Sequence, residues 1–462
     1  MAERLSALDV SFLYMESPTT PMHVGGVAIF DPPDGGFDYD RLVALINERI
    51  SLVPRFRQKI RMVPGHLSNP IWVDDPDFDV TYHVRRSALP KPGSEEQLKE
   101  FSARIQSRPL DRARPLWEIY LVEGLADGRV AICTKTHHAM VDGVSAMDIG
   151  TVILDLTREP RSTPPDDWSP GREPSSPELV VGAVVDWLRK PTQIVDAARG
   201  GINDARRVTT RLADFAGGMV SAVRATARSA PDSPLNADIG AQRRFGMART
   251  ELDDYKRVRK AHGGTVNDVV LATVAGALRA WLLTRGESVN GVSVRAMVPV
   301  SVRGDDPAGD LGNRVSSYFV DLPVGEPNPV VRLHQVSYAM AGHKDSGQSV
   351  GADAIVALSG FAPPTLHALG ARVASGMTRR LFNLVVTNVP GPQVPLYAAG
   401  ARMLEMFPVV PLAKGQAVCI GLTSYNGGVY YGLNADREAM HDVDVLASCI
   451  EESLVELMDT VR

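Results

Sequence analysis

The feature that most constrains this chain is the alternation of short apolar runs with stretches of helical period. "HVGGVAIF", "PIWVDD", "WEIYLVEGL" and "RVAICTKT" have strand length and are rich in β-branched and aromatic residues. Between them, "DYDRLVALINERI" places Leu42, Leu45, Ile46 and Ile50 on one helical face after a cap at Asp38. "SEEQLKEFSARI" does the same with Leu98, Phe101 and Ile105, after a capping box of Ser94 and Gln97. Such a pattern predicts mixed α/β (α+β) structure, with helices lying on a mixed sheet.

The pattern breaks at 157–177, "TREPRSTPPDDWSPGREPSSP", where proline, serine and charge predict an exposed loop. Residues 178–230 read as helix, with Leu179, Val180, Ala183, Val184, Trp187 and Leu188 on one face. Alternation returns near 240: an apolar helix in "TVNDVVLATVAGALRAWLL", strands in "SVRAMVPVSV" and "LFNLVVTNVPGP", and a hairpin in "AVCIGLTSYNGGVYYGLNA" turning at "NGG". The expected organisation is an N-terminal lobe at 1–160, a linker and helical crossover at 161–238, and a C-terminal lobe at 239–462.

The balance of 49 Lys+Arg against 54 Asp+Glu, a formal net charge of -5, argues against a nucleic-acid partner. Three distant cysteines, Cys133, Cys419 and Cys449, fit a reducing compartment and neither a disulfide framework nor a zinc site. The opening "MAERLSALDVSFLYMESP" lacks a signal-peptide pattern, and no uninterrupted apolar run nears membrane-spanning length. The expectation is a cytoplasmic protein that does not span a membrane.

The chemistry points to "KTHHAMVDG", residues 135–143, at a strand-to-loop junction. On a strand, alternation puts Val130, Ile132, Thr134, Thr136 and His138 on one side and Lys135 and His137 on the other, so the two imidazoles point apart and do not chelate one metal. A histidine here suits general-base work, because an ordinary pKa near about 6.5 leaves a large neutral fraction at physiological pH. Asp142 lies on the turn that Gly143 permits, where it can brace the loop or orient an imidazole.

"HHAMVDG" matches the HHxxxDG signature of the CoA-dependent acyltransferase superfamily. "RPLWEIYLVEGL" at 114–125, "TVNDVVLA" at 265–272, "RAMVPVSVR" at 295–303, "LGN" at 311–313 and "NVPGP" at 388–392 resemble the ordered motifs of the bacterial wax ester synthase/diacylglycerol acyltransferase (WS/DGAT) family. "LSALDVSFLYMESPTTPMHVGG" resembles that family's opening, and the resemblance runs along essentially the whole chain apart from 157–235.

The resemblance implies two chloramphenicol acetyltransferase-like lobes with a substrate channel between them. It implies triacylglycerol synthesis from diacylglycerol, wax ester synthesis from fatty alcohols, or both. Long-chain acyl-CoA is then a co-substrate, with no metal or other cofactor. By the same resemblance His138 is the general base of a direct transfer, and His137, Asp142 and Gly143 shape its loop. Asn267 and Asp268 match the family's "ND" pair; read bare, they are first-turn residues of a helix. Asn388, Pro390 and Gly391 read bare as a strand-end turn, and by resemblance as channel lining. Pro115, Leu116 and Trp117 read as core.

Three rivals stay open at this level. A carrier- or CoA-dependent acyltransferase of the polyketide-associated or condensation type shares the signature. A serine esterase is suggested by "GQSVG" at 347–351, centred on Ser349, although that elbow needs a buried strand before it. A non-catalytic lipid-surface protein is suggested by 178–230, with eight Arg/Lys against five Asp/Glu. Peripheral contact with the inner membrane face or with lipid inclusions belongs to the same expectation.

Overall fold

The structure, a computed structural model, describes residues 3–33, 35–141, 149–164, 166–189, 229–302, 314–345, 350–351 and 379–461. The first part of the chain gives α1 (Ala7–Met15), β1 (His23–Asp31), α2 (Tyr39–Arg49), a small ribbon of β2 (Gln58–Arg61) and β3 (Ile71–Asp74), and a single turn α3 (Val80–His83). It continues with β4 (Val84–Ala88), α4 (Glu95–Gln106), β5 (Trp117–Glu123), β6 (Val130–His137), α5 (Ile149–Ile153) and α6 (Ser176–Arg189). The second part supplies β7 (Arg243–Glu251), α7 (Leu252–His262), α8 (Val266–Thr284), β8 (Val294–Val302), β9 (Arg314–Leu322), α9 (Pro329–Asp345) and the short β10 (Val350–Gly351). It ends with β11 (Leu384–Pro390), β12 (Tyr397–Ala398), β13 (Ala401–Val409), β14 (Val418–Tyr425), β15 (Gly428–Asp436) and α10 (Val443–Asp459).

Local signals set the helix starts. The Asp38 carboxylate accepts the Arg41 N–H at 3.0 Å ahead of α2, and Ser94 and Gln97 close the capping box of α4. The hairpin turns as read: Asn426 and Gly427 both have positive φ (46° and 92°) between the paired Tyr425 and Gly428.

Among the described residues the strands form two large mixed sheets, ordered β12-β13-β1-β6-β5-β4 and β10-β9-β8-β11-β14-β15-β7. Two sheet-rich lobes result, as the sequence predicts, but the first sheet is not built from the first part of the chain alone. β13 returns from far along the sequence to lie antiparallel to β1, pairing Gly25 with Val409 and Asp31 with Arg402.

The first sheet is buried on both faces. Val130 and Ile132 of β6 join Trp117, Ile119 and Leu121 of β5 in a core with α1 and α2, while Ala131 and Cys133 face a second core with α4, β7 and β13. This explains why "WEIYLVE" and "VAICTKTH" read as nearly continuous apolar runs. Trp117 is core, as read: its Nε1–H donates to the Phe56 carbonyl at 2.7 Å and its ring stacks on His83.

The segment predicted as a loop is irregular and mostly exposed, yet tethered to the first lobe. Arg57 pairs with Asp166 and lies over the Trp168 ring, and the Gly171 N–H donates to Asp74 at 2.8 Å. In α6, Leu179 and Ala183 pack on Val63, Ile71 and Val73 around the small ribbon, so this part of the amphipathic stripe covers the protein's own surface. Residues 190–228, the remainder of that stripe, lie outside the described residues. Only α8, among the described residues, is long and apolar enough to cross a membrane; it is mostly buried inside the second lobe.

Candidate active site

β6 ends one residue earlier than strand alternation predicts. It closes at His137, and His138 opens a single 3-10 turn, His138–Met140. The His137 ring itself ends the strand: its Nδ1 accepts the Ala139 N–H at 3.0 Å, capping the turn. The His138 N–H meanwhile donates to the Met22 carbonyl at 2.8 Å, just ahead of β1. The imidazoles have separate surroundings: His137 faces His23 and Glu16, whereas His138 stacks on Phe12 of α1, with centroids 3.9 Å apart and planes 18° apart.

His138 is half-buried, and its Nδ1 is sealed from solvent without a hydrogen-bond partner among the described residues. Burial pushes its pKa down to about 4; an interaction with the residue's own backbone carbonyl, short of hydrogen-bond geometry, works the other way. The ring is therefore neutral at physiological pH. With Nδ1 sealed from solvent, Nε2 is the ring nitrogen left for chemistry.

Sequence reasoning assigned no role to the residues gathered around this turn. Glu16, directly after α1, accepts the Met22 N–H on Oε1 at 3.3 Å, with His23 Nε2 also at 3.3 Å. Its Oε2 accepts from the Arg112 guanidinium at 2.5 Å and lies 3.6 Å from His137 Nε2. Burial alone would raise the Glu16 pKa, but His137, His23 and Arg112 together hold it well below the usual carboxylate range. Burial also takes His23 down to about 4, against the pull of Glu16. On the His137 side of β6, Lys135 is fully buried, donates to the Arg108 carbonyl at 2.5 Å and lies 3.6 Å from Glu118; burial lowers it to about 8. These partners lie up to about 120 residues away in sequence, so no local pattern announces them; the match of "LSALDVSFLYMESP" to a family opening was the available signal.

A second group forms in the other sheet. Thr265 caps α8 and exchanges hydrogen bonds with Asp268, so Asp268 is bound up as a capping residue. Asn267 points elsewhere: its Oδ1 accepts the Asn388 Nδ2–H at 3.2 Å, joining two stretches that sequence reading singled out separately. β11 pairs with β8 only at Leu384 and Val385 but follows β14 as far as Pro390, so the sheet splits beside Asn388. Past the split the chain stays pressed on β14: a Cβ on Gly391 would stand 2.3 Å from the Ser424 carbonyl oxygen, which requires glycine there. No hydrogen bond joins Asn267 or Asn388 to His138 among the described residues.

Asp142, Gly143 and Ser349 lie outside the described residues. The chain runs toward Ser349 through α9, a helix ending at Asp345, where a nucleophile elbow requires a strand. No group of three or more metal-ligating side chains occurs among the described residues.

Residues 5–270 match the wax ester synthase/diacylglycerol acyltransferase catalytic domain, and residues 311–458 match the WS/DGAT C-terminal domain. The chain belongs to the WS/DGAT family. A probable diacylglycerol O-acyltransferase of Mycobacterium tuberculosis (strain ATCC 25618 / H37Rv) is 36% identical over 466 residues, covering 98% of each chain. Another from the same strain is 46% identical over 260 residues, 56% of this chain and 96% of that relative. The solved wax ester synthase/diacylglycerol acyltransferase from Marinobacter aquaeolei VT8 superposes with a TM-score of 0.68 at 29% identity, covering 99% of both chains. The first condensation domain of the CDA synthetase shares the fold, with a TM-score of 0.58 at 16% identity, covering 100% of this chain and 97% of that one. This WS/DGAT protein is an acyltransferase with the two-lobed mixed α/β fold common to these structures.

Proposed function

We propose that this WS/DGAT protein transfers a long-chain acyl group from acyl-CoA directly to the hydroxyl of diacylglycerol or a fatty alcohol, with His138 as general base. The observation that carries the reading is a neutral, half-buried imidazole whose residue is held at three points: its backbone N–H on the Met22 carbonyl, its ring face on Phe12, and its turn on the His137 cap. Nε2 accepts the hydroxyl proton as the acceptor oxygen bonds to the thioester carbonyl carbon. The tetrahedral intermediate collapses with cleavage of the carbon–sulfur bond, and the proton passes to the CoA thiolate.

A base of low pKa has its lone pair free at working pH but holds a proton weakly, which drives onward transfer to the thiolate. Neither a protein nucleophile nor an acyl-enzyme is needed. Asn267 and Asn388, at the split in the second sheet, are assigned to the channel wall, and Asp142 and Gly143 to the loop beyond His138. Positioning both substrates in one passage supplies much of the remaining rate enhancement.

The test is acyl transfer from labelled acyl-CoA to a mixture of diacylglycerol and fatty alcohol, with products separated by thin-layer chromatography. His138→Ala is expected to lower turnover about 10²–10⁴-fold with the melting temperature preserved. Equal turnover in His138→Ala and wild type would remove His138 from the proton path. Turnover only with a carrier-bound thioester would replace acyl-CoA as the donor.

A further inference from the structure

The largely buried anion beside the histidine turn does more than neutralise Arg112. Two separate paths lead from the Glu16 carboxylate, and they end on consecutive backbone amides of the turn. Along one, Oε2 faces His137 Nε2 at 3.6 Å, and His137 Nδ1 accepts the Ala139 N–H at 3.0 Å. Since Nδ1 is an acceptor, the ring carries its proton on Nε2, toward the carboxylate. Along the other, Oε1 accepts the Met22 N–H at 3.3 Å, and the Met22 carbonyl accepts the His138 N–H at 2.8 Å. Arg112 fixes the carboxylate from the opposite side through Nε at 3.1 Å and Nη2 at 2.5 Å, and donates again to the Leu13 carbonyl at 3.0 Å. The α1 segment that precedes Glu16 also carries Phe12, against which the His138 ring lies.

We infer that Glu16 is the positioning residue for the catalytic turn: anchored by Arg112, it fixes the His137 tautomer and the Met22 peptide, and through them the place of His138. The inference rests on the general-base reading of His138 for its effect on rate, but not for its effect on the turn. Glu16 touches neither the reacting atoms nor His138. One further ring bears on it, the neutral His23 at 3.3 Å, and the buried Lys135 acts in turn on His23.

Glu16→Gln keeps the shape and an oxygen for the Met22 N–H but removes the anion that His137 and Arg112 address. In the full-length protein its kcat for acyl transfer is expected to fall about 10–100-fold, with KM for acyl-CoA within about two-fold, because a displacement near 1 Å is enough for such a loss. Amide hydrogen exchange at 138–140 is expected to speed up while that of β5 stays at the wild-type rate. Glu16→Asp, which restores the charge one methylene short, should recover part of kcat. If Glu16→Gln fails to fold, Arg112→Gln carries the test, with a smaller loss of kcat and the same local exchange signature. Wild-type kcat, or exchange at 138–140 unchanged from wild type, overturns the inference. Should His138→Ala prove fully active, the general-base reading fails and the exchange measurement alone decides whether Glu16 holds the turn.

Discussion

Ionisable groups around His138 are arranged so that acid acts on them in one direction. Burial lowers the pKa of His138 and of His23 to about 4, and Glu16 is held well below its ordinary value. For the two histidines the unfolded chain binds protons more readily than the native one, so stability is lost as pH falls below about 6.5 toward 4. For Glu16 the stabilisation is present above about 4.5 and is lost as pH falls through its depressed native value. Turnover should therefore lack an acid limb near pH 6.5: kcat/KM is expected to stay level down to about pH 5.5 and then fall together with the folded fraction. A titration with a midpoint at 6.5 or above, in protein still folded by circular dichroism, would contradict a neutral, desolvated His138. The candidate base itself was legible, because two adjacent histidines at a strand end form a local pattern. Glu16 and Phe12 were not, because their part depends on α1 meeting the end of β6 and nothing near them in sequence says so.

Elements that begin with their own signals were read correctly, since the Asp38 cap and the Ser94–Gln97 box close within three residues and Asp268 stands in the first turn of α8 as read. Contacts between elements were not. The pair of glycines in β1 shows the difference, for the sequence presents Gly25 and Gly26 alike. A Cβ on Gly25 would stand 2.0 Å from the Thr134 carbonyl oxygen of β6, whereas one on Gly26 meets nothing nearer than the Phe407 carbonyl oxygen at 3.4 Å. β1 lies between β13 and β6 and has no free side to move toward. Gly25→Ala is therefore expected to cost about 1–3 kcal/mol and Gly26→Ala less than about 1, seen as a shift in the denaturant midpoint at unchanged slope. Turnover should follow the same order, because Met22, which anchors the His138 N–H, lies three residues before Gly25. Equal stability of the two variants would mean that the close approach of β1 and β6 is not as described.

On the scale of the whole molecule, two lobes were legible from the alternation and its interruption, but their fusion was not, because pairings such as Gly25 with Val409 span most of the chain. The core between the lobes mixes Leu98, Phe101 and Ile105 of α4 with Phe245 and Met247 of β7 and Phe407 and Val409 of β13. At its edge Arg249 of β7 is gripped by two carboxylates, Glu95 at 2.6 Å and Glu405 at 2.7 Å, and lies over the Phe407 ring. Magnitudes rank the two ties. A partly exposed ion-pair cluster contributes about 1–2 kcal/mol after solvent screening, whereas burying each large apolar side chain contributes about 1.5–3. The core must then dominate, and the lobes should unfold together. Calorimetry is expected to give one transition, with calorimetric and van't Hoff enthalpies in agreement. Arg249→Ala should leave it single and lower it by only about 1–2 °C, since the unfolding entropy of a chain this long makes Tm insensitive to a kcal/mol. Two resolved transitions in wild type would show that β13 does not bind the lobes into one cooperative unit; their appearance only in Arg249→Ala would move that role from the apolar core to the ion pairs.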